Sequence, residues 1–89
     1  MKIVFDPVKN VINRQKHGVD LAEVEGVFFD PMALTIEDRN HSEERFITLG
    51  TDGFGRLLAV AYTYRNADEL RVISARHADP KERRLYEEG

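Results

Sequence analysis

The chain contains no cysteine, which removes disulfide staples and thiolate metal sites from consideration. No apolar run is long enough to span a membrane, and the opening MKIVFDP lacks the apolar centre of a secretory leader. A soluble, cytoplasmic protein with no membrane association is therefore expected. Repeats, linkers and low-complexity tracts are absent, so the 89 residues are expected to form one domain, 1–89. A domain of that size buries only a small core, and its stability is expected to be modest without a partner. Bulk positive charge is missing too. Thirteen basic against 16 acidic side chains leave a net charge of −3, which is not the composition of a general nucleic-acid binder.

The charge that is present is unevenly placed. Residues 1–55 hold 6 basic and 10 acidic side chains, a balance of −4, whereas residues 56–84 hold 7 basic and 4 acidic, a balance of +3. A local basic patch can bind phosphate although the whole chain is acidic. The acidic part can equally face a basic partner.

Proline occurs three times, each time after aspartate. Asp6-Pro7 opens a helix: Asp6 can accept from the first free N–H groups, and Pro7 suits a position whose N–H has no partner in the helix. Val8, Val11, Ile12 and Gln15 mark one face of it at helical spacing. Lys16-His17-Gly18 ends it, with cations in the last turn and a glycine for the left-handed cap. Asp20 and Glu23 resemble a capping box for a second helix, Leu21–Phe28, with an apolar stripe of Leu21, Val24 and Phe28. Asp30-Pro31 terminates it.

From there the period changes to two. Met32, Leu34 and Ile36 alternate with Ala33, Thr35 and Glu37, and a polar loop at 38–43 leads into a second alternating run, Glu44–Gly50. The glycine-bearing turn TDGFG precedes Leu57–Tyr64, apolar on both faces as a central strand should be. A turn at Asn66–Glu69 leads to the last strand, Leu70–Arg76. Asp79-Pro80-Lys81-Glu82 then repeats the opening device and starts a helix to about Glu88. The expected order is β-α-α-β-β-β-β-α, an α+β domain with a largely antiparallel sheet and helices packed on one face.

The chemistry concentrates in Arg56–Glu88. Thr63 and Arg65 share a face of one strand, and Ser74 and Arg76 share a face of the next. Arg83 and Tyr86 lie side by side on the last helix. Two strand ends and a helix can thus gather Arg65, Arg76, Arg83 and Tyr86 at one cleft, provided the register allows it. Arginines around a phosphate stabilise the charge of a phosphoryl-transfer transition state, and a tyrosine can stack on a base. The plainer reading is that Arg71, Arg83 and Arg84 pair with Glu69, Glu87 and Glu88 on a solvated surface. His17 is either a general acid or base or a helix-end residue interacting with the dipole. Glu44 is either a general base or a carboxylate holding an arginine. The three histidines have no partner at a recognised metal-ligand spacing, His41 reads as a loop residue, and no metal or cofactor is expected.

The segments FDPVKNVINRQKHGVDLAEVEGVFFDP, EERFITLG, RLLAVAYTYR and RVISARHADPKERRLYEE together resemble the BrnT toxins. These are the ribonuclease half of the BrnT/BrnA type II toxin–antitoxin system. The resemblance covers nearly the whole chain with its motifs in order. Phe5 stands where tryptophan is often found, and His77 where lysine is common. The resemblance implies a RelE-like fold and a metal-independent endoribonuclease that inhibits translation. It also implies a BrnA-like antitoxin with a ribbon-helix-helix half, through which alone operator DNA would be bound. Matched motif by motif, it implicates Lys16 and His17 in KHG, Glu44 and Arg45 in EER, Thr63 and Arg65 in YTYR, Arg76 in ISAR, and Arg83 and Tyr86 in ERRLY. The catalytic group would be Arg65, Arg76, Arg83, His17 and Glu44, with Lys16, Arg45, Thr63 and Tyr86 binding RNA. The competing reading is a non-catalytic protein- or nucleic-acid-binding module, or an inactive toxin that keeps its antitoxin interface.

Overall fold

The computed structural model describes residues 1–39 and 44–89. The expected loop around His41 lies partly outside them, as do His41 and Glu43 themselves. Among the described residues five strands form one sheet: β1 (Lys2–Val4), β2 (Leu34–Asp38), β3 (Arg45–Thr51), β4 (Leu57–Asn66) and β5 (Glu69–His77). Their order across the sheet is β1-β5-β4-β3-β2. β1 runs parallel to β5, and every other pairing is antiparallel, as three consecutive hairpins require. The α+β class holds, and the sheet is mixed.

Two α-helices flank it, α1 (Pro7–His17) and α2 (Pro80–Glu88). Both start as the sequence dictates. Asp6 accepts from the N–H of Val8, and Asp79 and Glu82 form a reciprocal capping box. Gly18 ends α1 at φ 69°, a conformation that penalises any side chain.

Three expectations fail for physical reasons. The second helix is instead two 3₁₀ turns, Leu21–Glu23 and Glu25–Phe29. Leu21, Val24 and Val27 are the residues buried there, and a spacing of three keeps one face of a 3₁₀ turn, not of an α-helix, toward the core. The helices do not share one face of the sheet. Leu58, Val60 and Tyr62 of β4 pack with Leu70, Val72 and Ala75 of β5 and with Val19, Leu21, Val24 and Val27 in the main core, on the side of the 3₁₀ turns. Leu49, Leu57 and Ala59, the alternate residues, are also buried but lie outside that cluster. They point to the side where α2 is tied down by Arg76–Glu82 and Thr51–Tyr86 contacts. A central strand apolar on both faces needs both covered.

The third reversal concerns α1. Its inward residues are Asn10 and Asn13, while Val8, Val11 and Ile12 are 68%, 44% and 56% exposed. The reason lies in what α1 meets. β1 pairs with β5 only up to Arg71, and among the described residues no strand lies beside the rest of that edge. Asn13 closes it by accepting from the N–H of Ala75 and donating to the carbonyls of Ala75 and Val19. Asn10 accepts from the N–H of Leu21 and donates to Asp20. Buried backbone groups must be paired, and here an amide side chain does what valine cannot.

Candidate active site

The sheet face opposite the main core is only partly covered by α2, and the uncovered part is concave. β4 alternates large and small side chains: Leu58, Val60 and Tyr62 fill the core, while Ala59 and Ala61 face the other way. Ala59 lies between Leu49 and Arg76, and Ala61 between Ile47 and Ser74. The two alanines floor a groove of about 210 Å³, walled by Asp38, Arg45 and Ile47 on one side and Ile73, Ser74 and Arg76 on the other.

Arg76 is held rather than free to wander. Its two terminal nitrogens donate to Oε1 and Oε2 of Glu82 at 2.7 and 2.9 Å. These hydrogen bonds raise the pKa of the guanidinium, keeping it charged, and they lower that of Glu82, which also accepts from the N–H of Asp79. The cap of α2 thus doubles as the anchor of Arg76. A fork-to-fork pair fixes the plane of a guanidinium in a way a single contact does not. The side chain of Arg76 nevertheless remains 40% exposed.

A second concavity of about 190 Å³ adjoins the first. Lys9, Ile12, Asn13, Lys16 and His17 of α1 line it, and Ile73 and Ser74 complete it. The two hollows therefore share a wall. That wall is an irregularity in β5: between Ala61 and Tyr62 the register slips, and Ile73 has no partner across β4. An extra residue at such a point bends the strand and re-aims its side chains. Lys16, His17, Arg45 and Arg76 accordingly surround one composite depression centred on Ile73 and Ser74.

The other candidates lie elsewhere. Arg65 sits at the opposite end of β4, exposed, at a second slip in register, and pairs with Glu69 at 3.5 Å. Six residues of strand separate it from Ala59, roughly 20 Å at about 3.3 Å per residue. The expected cleft uniting Arg65 with Arg76, Arg83 and Tyr86 is therefore not formed. Glu69 takes Arg65 and Lys2 as partners, not Arg71. Thr63 donates its hydroxyl to the carbonyl of Glu44 at 2.7 Å, so both stand just beyond the groove. Arg83 is exposed on α2, with no ion pair among the described residues. Tyr86 faces inward instead of offering its ring to a base. Its hydroxyl donates to Asp30 and contacts Thr51, and the bond to Asp30 raises its pKa. Asp30 is held low by the N–H of Thr51 and then by Tyr86.

Sequence reasoning overlooked Ala59, Ala61 and Lys9. The alanines were legible: in LLAVAYTY the face of Ala59 narrows after Leu57 to the small residues Ala59, Ala61 and Thr63, the pattern of a floor rather than of a core. Among the described residues, no group of three or more His, Asp or Glu side chains is placed to hold a metal ion, and no helix is long and apolar enough to cross a membrane.

The family model of the BrnT ribonuclease toxins of type II toxin–antitoxin systems matches residues 5–82. The fold is similar to the crystal structure of the Brucella abortus ribonuclease toxin BrnT, at 29% identity and a TM-score of 0.74, covering 89% of this chain and 97% of that one. Comparison with curated proteins yields no match.

Proposed function

The chain belongs to the BrnT family of ribonuclease toxins of type II toxin–antitoxin systems, and from that premise we propose that it is a metal-independent endoribonuclease whose RNA lies across the Ile73–Ser74 depression. The observation that carries the reading is the shared wall of the two hollows, around which Lys16, His17, Arg45 and Arg76 stand. The strand's own 2′-hydroxyl attacks the adjacent phosphorus. The P–O5′ bond breaks, leaving a 2′,3′-cyclic phosphate and a free 5′-hydroxyl. Arg76 and Arg45 compensate the charge that builds on the phosphoryl oxygens, and Lys16 holds a neighbouring phosphate. His17 takes the proton of the 2′-hydroxyl or delivers one to the departing oxygen; Glu44, beside Thr63, is the other candidate for the complementary step. Arg65 and Arg83 reach only flanking nucleotides. The same proposal includes a RelE-like kinship, inhibition of translation through RNA loss, a cytoplasmic site of action, and neutralisation by a BrnA-like ribbon-helix-helix antitoxin that alone contacts operator DNA.

One observation favours a second reading, a non-catalytic binding module: both terminal nitrogens of Arg76 are already engaged by Glu82. Purified protein is incubated in EDTA with RNA and with DNA of the same sequence, alongside Arg76→Ala. Cleavage of RNA alone, with cyclic phosphate ends, is expected, and it should fall by about 10²–10³-fold in the variant, the usual cost of one transition-state donor. Intact RNA with folded wild-type protein selects the module. Cleavage of the DNA overturns the 2′-hydroxyl mechanism.

A further inference from the structure

The outward face of α1 carries the helical pattern of a buried surface, with Val8, Val11 and Ile12 at i, i+3 and i+4, yet nothing among the described residues covers it. The inward face is instead polar and satisfied by Asn10 and Asn13, so the helix cannot gain by turning over. Lys9 and Lys16 flank the stripe on the side of the groove and Arg14, which pairs with Asp20 at 3.8 Å, lies on the other; α1 itself contains no carboxylate. A second copy of the same helix laid against it would set cations against cations. An apolar stripe between cationic borders is complementary to an amphipathic helix with acidic borders.

We infer that α1 is the docking surface for such a helix, an apolar face edged with Asp or Glu, supplied by the antitoxin. The inference rests on the preceding reading of the chain as a toxin, and it names the surface and chemistry through which neutralisation works. Ile12 lines both the stripe and the hollow that holds Lys16 and His17. A helix seated on Val8, Val11 and Ile12 thus brings its acidic border over Lys9 and Lys16. It takes the place of RNA phosphate there.

The test uses the full chain and the antitoxin encoded in its own operon, titrated against wild type, Val8→Glu/Val11→Glu and the milder Val8→Ser/Val11→Ser. Neither valine belongs to the groove, so each variant alone should keep the wild-type melting temperature and RNA cleavage rate. Affinity for the antitoxin is expected to fall by at least about tenfold in the glutamate variant and less in the serine one, and the antitoxin should no longer suppress cleavage by the glutamate variant. Wild-type binding should weaken as salt is raised. Unchanged antitoxin affinity in both variants overturns the inference. So does a stripe whose loss abolishes only self-association or binding to anionic phosphatidylglycerol vesicles. Should wild type leave RNA intact, the ribonuclease reading fails, while the affinity series still decides where the antitoxin docks.

Discussion

The two faces of the sheet are built from the same strands and end up chemically opposite. On one, Leu58, Val60 and Tyr62 meet Leu21, Val24 and Val27, and the buried hydrophobic cluster contains no charged group. On the other, Leu49 and Leu57 are covered beside α2, and the rest is a trough over Ala59 and Ala61 edged by Asp38, Arg45 and Arg76. Strand alternation makes this division possible, because neighbours in sequence answer to different surroundings. The closed face carries stability. The open face has given up packing volume and keeps a depression, the place proposed above for the phosphate. The sharpest way to break that contrast is to fill the trough. Ala61→Phe places a ring on its floor without touching the main core, and it should reduce RNA cleavage by about a hundredfold or more, since displacing a reacting group by an ångström can cost that much. Its melting temperature should stay near that of wild type. A variant that melts early instead shows that the open face is part of the core.

The converse experiment attacks the sealed edge of β5 that borders the closed face. Asn13 is 5% exposed and makes three hydrogen bonds to backbone that no strand covers. Asn13→Leu nearly preserves the size and shape of the side chain, yet it leaves the N–H and C=O of Ala75 and the C=O of Val19 unpaired. A loss of about 2–4 kcal/mol is expected in urea unfolding, from orphaned buried groups at about 1–3 kcal/mol each with some relief from water. An unchanged midpoint refutes the account of α1 as an amide-sealed edge.

Asn13 also marks where sequence reading stops. The caps, hairpins and strand periods were legible because each depends on residues within a few positions, as at Asp79 and Glu82 or at the TDGFG turn. The resemblance supplied the family, which the family model bears out. The inverted orientation of α1 was not legible, because Val8, Val11 and Ile12 carry the ordinary mark of a buried face. What defeats it is a partner 62 residues away, the open edge at Ala75. The candidate site was half legible for the same reason. Lys16, His17, Arg45 and Arg76 were all named, but register decides which meet, and two slips in β4–β5 pairing are invisible in the residues themselves. The 3₁₀ segment was readable in hindsight from the spacing of Leu21, Val24 and Val27.

Acid should separate the two faces without any mutation. α2 is moored by Glu82 to Arg76 and by Asp30 to Tyr86, and both carboxyls are held below their usual range. Groups that ionise more readily in the fold than in the unfolded chain stabilise it above the unfolded pKa, about 4, and lose that contribution as pH falls through the folded value. The main core cluster contains no such group, although Asp20 at the first 3₁₀ turn and Asp52 in the β3–β4 hairpin are held low at its margins. Stability is therefore expected to hold from about pH 5 upward and to decline below about pH 4, with amide protons of α2 losing exchange protection before those of β4. Simultaneous loss in both elements means that α2 and the core melt as one unit, and the two faces are then not energetically distinct.

The smallest expected effect tests how far along the open face the chemistry extends. Arg65 shares β4 with Ala59 and Ala61, and a view of the sheet that counts only arginines gives it the same standing as Arg76. Their settings differ. Arg76 is pinned by a two-point contact at the edge of the groove, whereas Arg65 is exposed beyond a slip in register with one longer contact to Glu69. At roughly 20 Å, more than two Debye lengths in physiological salt, its charge is screened from a phosphate over Ala59. It can touch only a nucleotide further along the strand. Arg65→Ala should thus slow cleavage of a long RNA by no more than about threefold. It should leave cleavage of a substrate too short to reach the β4–β5 turn unchanged. A loss matching that of Arg76→Ala on the short substrate places the reacting phosphate nearer the turn than the groove, and the division drawn between floor and margin on this face would then have to move with it.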